Sequence, residues 1–280
     1  MKLSFINLFA LILLSSFTSR AQENFSLGAK QAGLGGTGIL YSDIWSSSHN
    51  QAGLADLNGY AFGSYFNNRF QISELGTKAF ALAASTDRFG TIGLNYTQFG
   101  YELYSQNKFG LAYAMRLGEK ISAGIQLDYF LITQGGEYGR QGFATGEIGI
   151  ISEPLENFLL AAHVFNPWPV KISSSEDSYL NSVFRLGMGY NFSDKVTVAL
   201  EAEKDIEYPV RVRFGTEYEF VDNFYLRLGM NTQPAEYSFG LGYKFKGAAF
   251  DIAFKSHNTL GMHSHFGLSY LLAAKKDSSE

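Results

Sequence analysis

The sequence predicts an all-β fold, a transmembrane antiparallel β-barrel of about 14 strands. Three observations lead to this prediction. From Gly59 onward, apolar and polar residues alternate with period two. After the N-terminal leader, no run of about 18 apolar residues offers a transmembrane helix. Aromatic residues make up 16% of the chain, which has 30 glycines and no cysteine; this composition suits an apolar outer belt without disulfides.

The alternation is clear between Lys120 and Ile132. One face there is apolar and carries Ile121, Ala123, Ile125, Leu127, Tyr129 and Leu131. The other face holds Ser122, Gly124, Gln126 and Asp128. The pattern recurs at Val183–Phe192, Val210–Phe220 and Tyr237–Phe245. We expect strands of about 9–11 residues, enough to cross a bilayer when tilted. Two less regular strands leave a count of about twelve as the alternative.

The connections between these strands alternate in length, which a β-sandwich would not require. Tight turns are expected near Asp87, Glu119, Asp194, Asp222 and Gly247, with a slightly longer one at residues 153–157. Longer loops are expected at residues 69–74, 99–106, 133–142, 166–180, 232–236 and 257–262, and residues 205–207 form a short exception. Barrels of the outer membrane have short periplasmic turns and longer outer loops. An even strand count then places both termini in the periplasm.

The chain divides into four predicted segments. Lys2, the apolar run Phe5–Leu14 and the small residues around Arg20 indicate a secretory signal peptide at residues 1–21, too short to be a membrane anchor. Residues 22–58 form an N-terminal segment that precedes the barrel at residues 59–272. Residues 273–280 form a charged periplasmic tail.

The motif "GLGGTG" at Gly33–Gly38 has the spacing G-x-G-x-x-G of a dinucleotide site. Such a site needs a preceding strand, a following helix and a βαβ unit, and the sequence around Gly33 predicts none of them. The net charge of −4 also lacks the basic patch that nucleic-acid binding requires. We therefore expect no cofactor and no nucleic-acid partner.

The same stretch, "GAKQAGLGGTGILYSD" at residues 28–43, is followed by "HNQAGLADL" at residues 49–57. Together they resemble the N-terminal signature of the outer-membrane long-chain fatty-acid transporter (FadL-like) family, in particular its PorV/PorQ-like branch. The resemblance implies a 14-strand barrel whose N-terminal segment packs in the lumen as a hatch. One departure is Asn50-Gln51, where the family has Asn-Pro. The implied hatch or gate residues are Gly28, Gly33, Gly35, Gly36, Asp43, Asn50, Gly53 and Leu54.

Glycines also recur on the polar phase of the strands, for example at Gly124, Gly149, Gly215 and Gly229. Glycine permits another backbone to approach closely, as a segment inside the lumen would require. Alternatively, these glycines relieve crowding on a strongly curved inner face. The sequence leaves both interpretations open.

The polar phase of neighbouring strands also collects opposite charges, which predicts an ion-pair ladder in the lumen. Such a ladder either holds the N-terminal segment to the wall, which we favour, or sets selectivity. Its predicted members are Arg185, Glu201, Glu203, Arg211, Arg213, Glu217, Arg227 and Lys244.

Two further features lie near the outer rim. Trp168, in the longest outer loop, suits either partner binding or interfacial anchoring. His257, His263 and His265 share one hairpin, where hydrogen bonding is favoured over a metal site because no carboxylate lies nearby in sequence. We predict no catalytic and no metal-binding residues, and expect that the protein is not an enzyme.

Two functional hypotheses follow for an outer-membrane protein surrounded by lipid. The first is a gated passive transporter or channel for small hydrophobic compounds, with a small hydrophobic ligand. The alternative is a non-transporting accessory subunit of a secretion (type IX-like) or surface-export complex that binds a partner protein through its outer loops. A structural barrel without flux is a third reading.

Overall fold

A computed structural model describes residues 26–86, 88–135, 139–172, 178–257 and 259–273. Fourteen strands form one closed barrel, in which each strand pairs antiparallel with its neighbours in the chain and β1 pairs with β14. The strands are β1 (Tyr60–Asn68), β2 (Thr77–Thr86), β3 (Gly90–Gly100), β4 (Tyr104–Arg116), β5 (Ile121–Gln134), β6 (Gly139–Leu155), β7 (Phe158–Phe165), β8 (Val183–Ser193), β9 (Val196–Asp205), β10 (Arg211–Val221), β11 (Phe224–Thr232), β12 (Ala235–Phe245), β13 (Ala248–His257) and β14 (Gly261–Leu272). The predicted fold class and count of 14 are confirmed, and the alternative count of twelve is wrong.

The predicted signal peptide and residues 274–280 of the predicted tail lie outside the described residues.

Strand lengths differ from the expected 9–11 residues in one region. β4, β5 and β6 have 13, 14 and 17 residues, because their hairpins stay paired beyond the point where loops were expected. The β4–β5 pairing continues to Tyr104 opposite Gln134. The loops expected at residues 99–106 and 133–142 are therefore shorter than predicted. β7, with 8 residues, is short instead.

The apolar phase of the strands faces outward, the reverse of a water-soluble fold. In β5 the outward side chains of Ile125 and Leu127 are 56% and 66% exposed, whereas the inward Gln126 and Asp128 are each 2% exposed. An outer surface of this kind is stable in contact with hydrocarbon rather than water. No helix in the described ranges is long and apolar enough to cross a membrane.

The N-terminal segment crosses the interior of the barrel, where residues 26–58 are described. Helix α1 (Ala29–Gly33) packs against β11 to β14, and two 3₁₀ helices, Ile44–Ser48 and Gln51–Asp56, contact β1 to β3 and β3 to β6 respectively. The side chains of Asp43 and Asn50 cap the two 3₁₀ helices by accepting hydrogen bonds from Trp45 N and Ala52 N. Such caps satisfy backbone donors that have no partner within the helix. Short helical turns thus let the segment bury its backbone in the lumen.

Candidate functional site

The barrel interior contains two cavities on opposite sides of the N-terminal segment. The larger one, the vestibule, has a volume of about 500 Å³ and lies at the end of the barrel that carries the longer loops. Its floor is formed by residues of the segment, including Leu27 and Gly36. Its walls include Phe130, Phe165, His263 and His265.

The smaller cavity, the lower pocket, has a volume of about 260 Å³ and lies toward the short-turn end. It is lined on the segment side by Lys30, Leu40 and Tyr41, and on the wall by residues that include Ala199 and Glu217. Along β9, Glu203 faces the vestibule and Ala199 faces the lower pocket. Glu201 lies between them on the same strand.

The turn at residues 34–39 lies against Glu201 at this point. Glu201 Oε2 accepts hydrogen bonds from Gly38 N at 2.9 Å and Ile39 N at 3.4 Å. Glu201 Oε1 accepts from Arg213 Nη1 at 2.6 Å, which fixes the carboxylate against the turn. On the neighbouring strand, a Cβ added to Gly215 would lie 2.6 Å from Leu34 O. Backbone and wall are therefore in direct contact at this point.

The predicted gate glycines Gly33 and Gly35 meet β11 and β12. Ser238 Oγ accepts from Gly35 N at 2.8 Å and donates to Gly33 O at 3.0 Å. A Cβ added to Gly229 would lie 2.0 Å from Gly35 N, closer than any side chain allows. Gly35 and Gly36 have φ of 71° and 86°, a left-handed conformation that favours glycine.

Asn50 joins the second half of the segment to the wall. Its Nδ2 donates to Ile39 O at 2.9 Å and to Ile150 O of β6 at 3.1 Å. A Cβ added to Gly149 would lie 1.9 Å from Asn50 Oδ1. Asn50 therefore links both halves of the segment to β6.

The other predicted gate residues stabilise the segment itself. Asp43 Oδ2 accepts from Gln31 Nε2 at 2.9 Å, and Gly28 has φ of 92° where helix α1 begins. A Cβ added to Gly53 would lie 2.4 Å from Tyr41 O. Leu54 is fully buried and packs against Gly93 of β3.

Both interpretations of the strand glycines hold, at different positions. A Cβ added to Gly110 would meet the side chains of Asn95 and Gln126, and one added to Gly242 would meet Arg227. Those two glycines make room for wall side chains. The strand glycines whose added Cβ would meet the N-terminal segment are Gly63, Gly93, Gly124, Gly149, Gly187, Gly189, Gly215, Gly229, Gly240 and Gly267.

Seven of the eight predicted ladder residues form ion pairs with one another or with a neighbour. The pairs are Arg185–Glu203 at 2.7 Å, Arg211–Glu203 at 3.2 Å, Arg213–Glu201 at 2.6 Å, Arg213–Glu203 at 2.7 Å, Arg227–Glu217 at 2.5 Å and Arg227–Asp251 at 2.6 Å. Lys30 of the segment reaches Glu217 at 3.7 Å. Lys244 is exposed and lies over the ring of Tyr225 instead, at 4.5 Å from its centroid, because it sits near the short turn.

A second buried polar network, on β4 to β7, was not predicted from the sequence. Lys108 Nζ lies 2.5 Å from Glu147 Oε1 and 3.3 Å from Asp128 Oδ1. Glu147 Oε2 lies 2.9 Å from His163 Nε2 and accepts from Gln51 Nε2 of the segment at 2.7 Å. A signal existed, because these wall residues all occupy the polar phase of their strands.

His49 is the buried titratable group at the centre of the segment. Its Nε2 donates to Leu27 O at 2.6 Å, and the residue is 1% exposed. Burial lowers the pKa of His49 to about 4, so the imidazole is neutral at pH 7. Burial likewise raises the pKa of Tyr41.

Near the outer rim, Trp168 lies on the outer side of the barrel wall, whereas His263 and His265 line the vestibule. Trp168 is 47% exposed and packs on the outer side of Gly146 in β6, while its role as a partner contact stays a prediction. His263 and His265 face the vestibule, with ring centroids 6.2 Å apart. In the part of the chain that is described, no three His, Asp or Glu side chains are arranged to hold a metal ion.

Solved structures with a similar fold include monoaromatic hydrocarbon channels. A CymD monoaromatic hydrocarbon channel aligns with a TM-score of 0.66 and 13% identity over 89% of this chain and 98% of that one. The toluene transporter TodX of P. putida aligns at 0.65 and 13% over 88% and 99%. A FadL homologue of Pseudomonas aeruginosa aligns at 0.56 and 12% over 87% and 98%.

The chain shares the fold of these channels. At 12–13% identity the likeness establishes the architecture alone. No family model matches the sequence, and no curated protein matches it.

Proposed function

We propose that this protein is a passive outer-membrane channel of the FadL type for small hydrophobic compounds, and that its N-terminal segment is the gate. The fold supports this proposal, since the similar structures are a monoaromatic hydrocarbon channel and a toluene transporter. The apolar outer surface of the barrel supports a location in a bilayer.

The observation that carries the proposal is the position of the turn at residues 34–39 between the vestibule and the lower pocket. It is held by hydrogen bonds to Glu201 and Ser238 and by packing on wall glycines. These contacts are numerous, and all of them are non-covalent. Because the turn lies between the two cavities, displacement of the segment would join them. The ladder charges lie in neutralising pairs, which lowers the cost of leaving them beside an apolar solute.

The accessory-subunit hypothesis receives no support from the similar structures. The residue on which it relied, Trp168, packs on the barrel wall over Gly146.

A reversible cross-link between segment and wall tests the gate. The chain has no cysteine, so Ala29→Cys with Gly267→Cys introduces a single possible disulfide. A Cβ at position 267 lies 3.2 Å from Ala29 Cβ, close to the span that a disulfide needs. We expect the oxidised variant, expressed in an outer membrane, to lose protein-dependent uptake of radiolabelled toluene and to regain it on reduction.

The control joins two wall strands. Ser85 and Thr91 are opposite each other on β2 and β3, and Ser85→Cys with Thr91→Cys should leave uptake unchanged in both redox states. Full uptake by the oxidised Ala29–Gly267 variant would show that the segment is not the gate. Absence of protein-dependent uptake in the unmodified protein would rule out the channel itself.

A further inference from the structure

The vestibule has two chemically different walls. On β5 to β8, Phe130, Phe165 and Val183 form an apolar cluster with Leu180 and Phe143. The Phe130 and Phe143 rings stack with centroids 5.1 Å apart, and Phe165 lies edge-on to Phe130 at 6.2 Å. Four of these residues line the cavity. This wall suits the apolar body of a ligand.

The facing wall, on β11 to β14, is polar and incompletely satisfied. His263, His265 and Asn231 line the vestibule and are 8%, 5% and 4% exposed. His263 Nε2, His265 Nε2 and Asn231 Oδ1 have no hydrogen-bond partner among the described residues. Buried polar atoms are almost always paired in folded proteins. Three such atoms on one cavity wall therefore point to a ligand or solvent that supplies hydrogen bonds.

The two imidazoles are held in fixed positions. Tyr65 Oη lies 2.7 Å from His265 Nδ1, so one side of that ring is already occupied and its Nε2 is the unpaired nitrogen. The rings of His263 and His265 are nearly parallel, at 11°, and Phe70 packs edge-on to His263 at 4.3 Å between centroids. The pair is thus a preorganised hydrogen-bonding site beside an aromatic ring.

The cations beside this wall already contact partners. Lys255 pairs with Glu236, and Arg211 pairs with Glu203 at 3.2 Å. Arg69 lies over the ring of Phe99 at 5.5 Å. A carboxylate ligand would have to compete with protein carboxylates for Lys255 and Arg211. An uncharged hydroxyl suits the site better, because it can both donate and accept and so matches either imidazole tautomer.

We propose that the vestibule binds uncharged, hydroxyl-bearing aromatic compounds of the alkylphenol class. The hydroxyl bonds to His263 and His265, and the apolar body extends over Phe70 toward the Phe130–Phe165 wall. This inference builds on the proposed channel, because it names which hydrophobic compounds the vestibule selects before the gate.

Matched ligands test the proposal directly on the full-length protein in amphipol. 4-Ethylphenol and 4-ethyltoluene differ only by a hydroxyl in place of a methyl group, and binding of each is measured by ligand-observed NMR. We expect 4-ethylphenol to bind about tenfold more tightly, the effect of one or two buried hydrogen bonds. His263→Phe and His265→Phe, which keep a ring and remove its nitrogens, should abolish this preference.

Phe165→Leu is the matched control on the opposite wall, and it should weaken both ligands equally. If His265→Phe does not fold, His263→Phe alone is sufficient for the test. Equal affinity for both ligands in the unmodified protein, or tighter binding of 4-ethylbenzoate than of 4-ethylphenol, would overturn the proposal. Binding is measured without flux, so failure of the channel in the uptake assay and failure of this site are separate results.

Discussion

Gln51 shows how one residue of this chain replaces a backbone constraint with a side-chain bond. The family that the N-terminal motif resembles has proline at this position. In this chain Gln51 begins the second 3₁₀ helix, and its Nε2 donates to Glu147 Oε2 at 2.7 Å. The residue is fully buried, and Glu147 also pairs with Lys108 and His163. The departure from the motif thus connects the N-terminal segment to the polar network on β4 to β7.

Gln51→Pro should fold and be less stable by about 1–3 kcal/mol, because Glu147 loses a buried donor. The ring itself should fit, since proline is tolerated at the first residue of a helix and Asn50 before it is extended, with φ −157° and ψ 105°. Urea unfolding in lipid vesicles measures the change.

Gln51→Met is the matched control, because it keeps the volume and removes the donor. Equal losses in the two variants would assign the effect to the side-chain hydrogen bond. A much larger loss for Gln51→Pro would mean that the backbone at this position cannot accept the ring.

At the scale of the element, the N-terminal segment depends on the state of His49. The neutral imidazole donates to Leu27 O, and its other side faces Gly38, where an added Cβ would lie 2.2 Å from Nδ1. The ring therefore joins the start of the segment to its central turn. Protonation would add an N–H at Nδ1, and there is no space for water to hydrate it.

Acidification should loosen this element. Burial lowers the pKa of His49 to about 4, against about 6.5 in an unfolded chain. Between these values the unfolded state binds a proton that the folded state does not. The free energy of unfolding should therefore fall as the pH drops through this window, by on the order of 3 kcal/mol, and the loss is complete below pH 4.

His49→Gln keeps a donor for Leu27 O and removes the titration. Urea unfolding at pH 7, 5.5 and 4 should show a weaker pH dependence for this variant than for the unmodified protein. Identical pH profiles would exclude His49 as the source of the effect.

At the scale of the molecule, the outward apolar phase predicts how the barrel responds to charge. Leu127 is 66% exposed near the middle of β5, and Leu117 is 61% exposed in the turn before it. Leu127→Arg should lower stability in a bilayer by about 2–4 kcal/mol, and Leu117→Arg by about 0–1 kcal/mol, because the cost of a cation depends on depth. Equal losses for both variants in vesicles would contradict a lipid-facing position for Leu127.

The sequence by itself determined the barrel. Period-two alternation assigns each side chain to lipid or lumen, and its repetition from β1 to β14 predicted the strand count of the structure. The same phase placed Arg213 and Glu201 on the inside, and adjacent strands bring such residues into contact without further information.

Only the tertiary structure decided how the interior is divided. The turn at residues 34–39 lies beside Glu201 and Gly229, more than 160 residues away in sequence, and no periodicity encodes that contact. The unpaired nitrogens of His263 and His265, and the absence of Lys244 from the ladder, likewise follow from how far each side chain lies along the barrel axis. Alternation fixes which face a residue occupies, whereas packing of a non-repetitive segment against 14 strands fixes its neighbours.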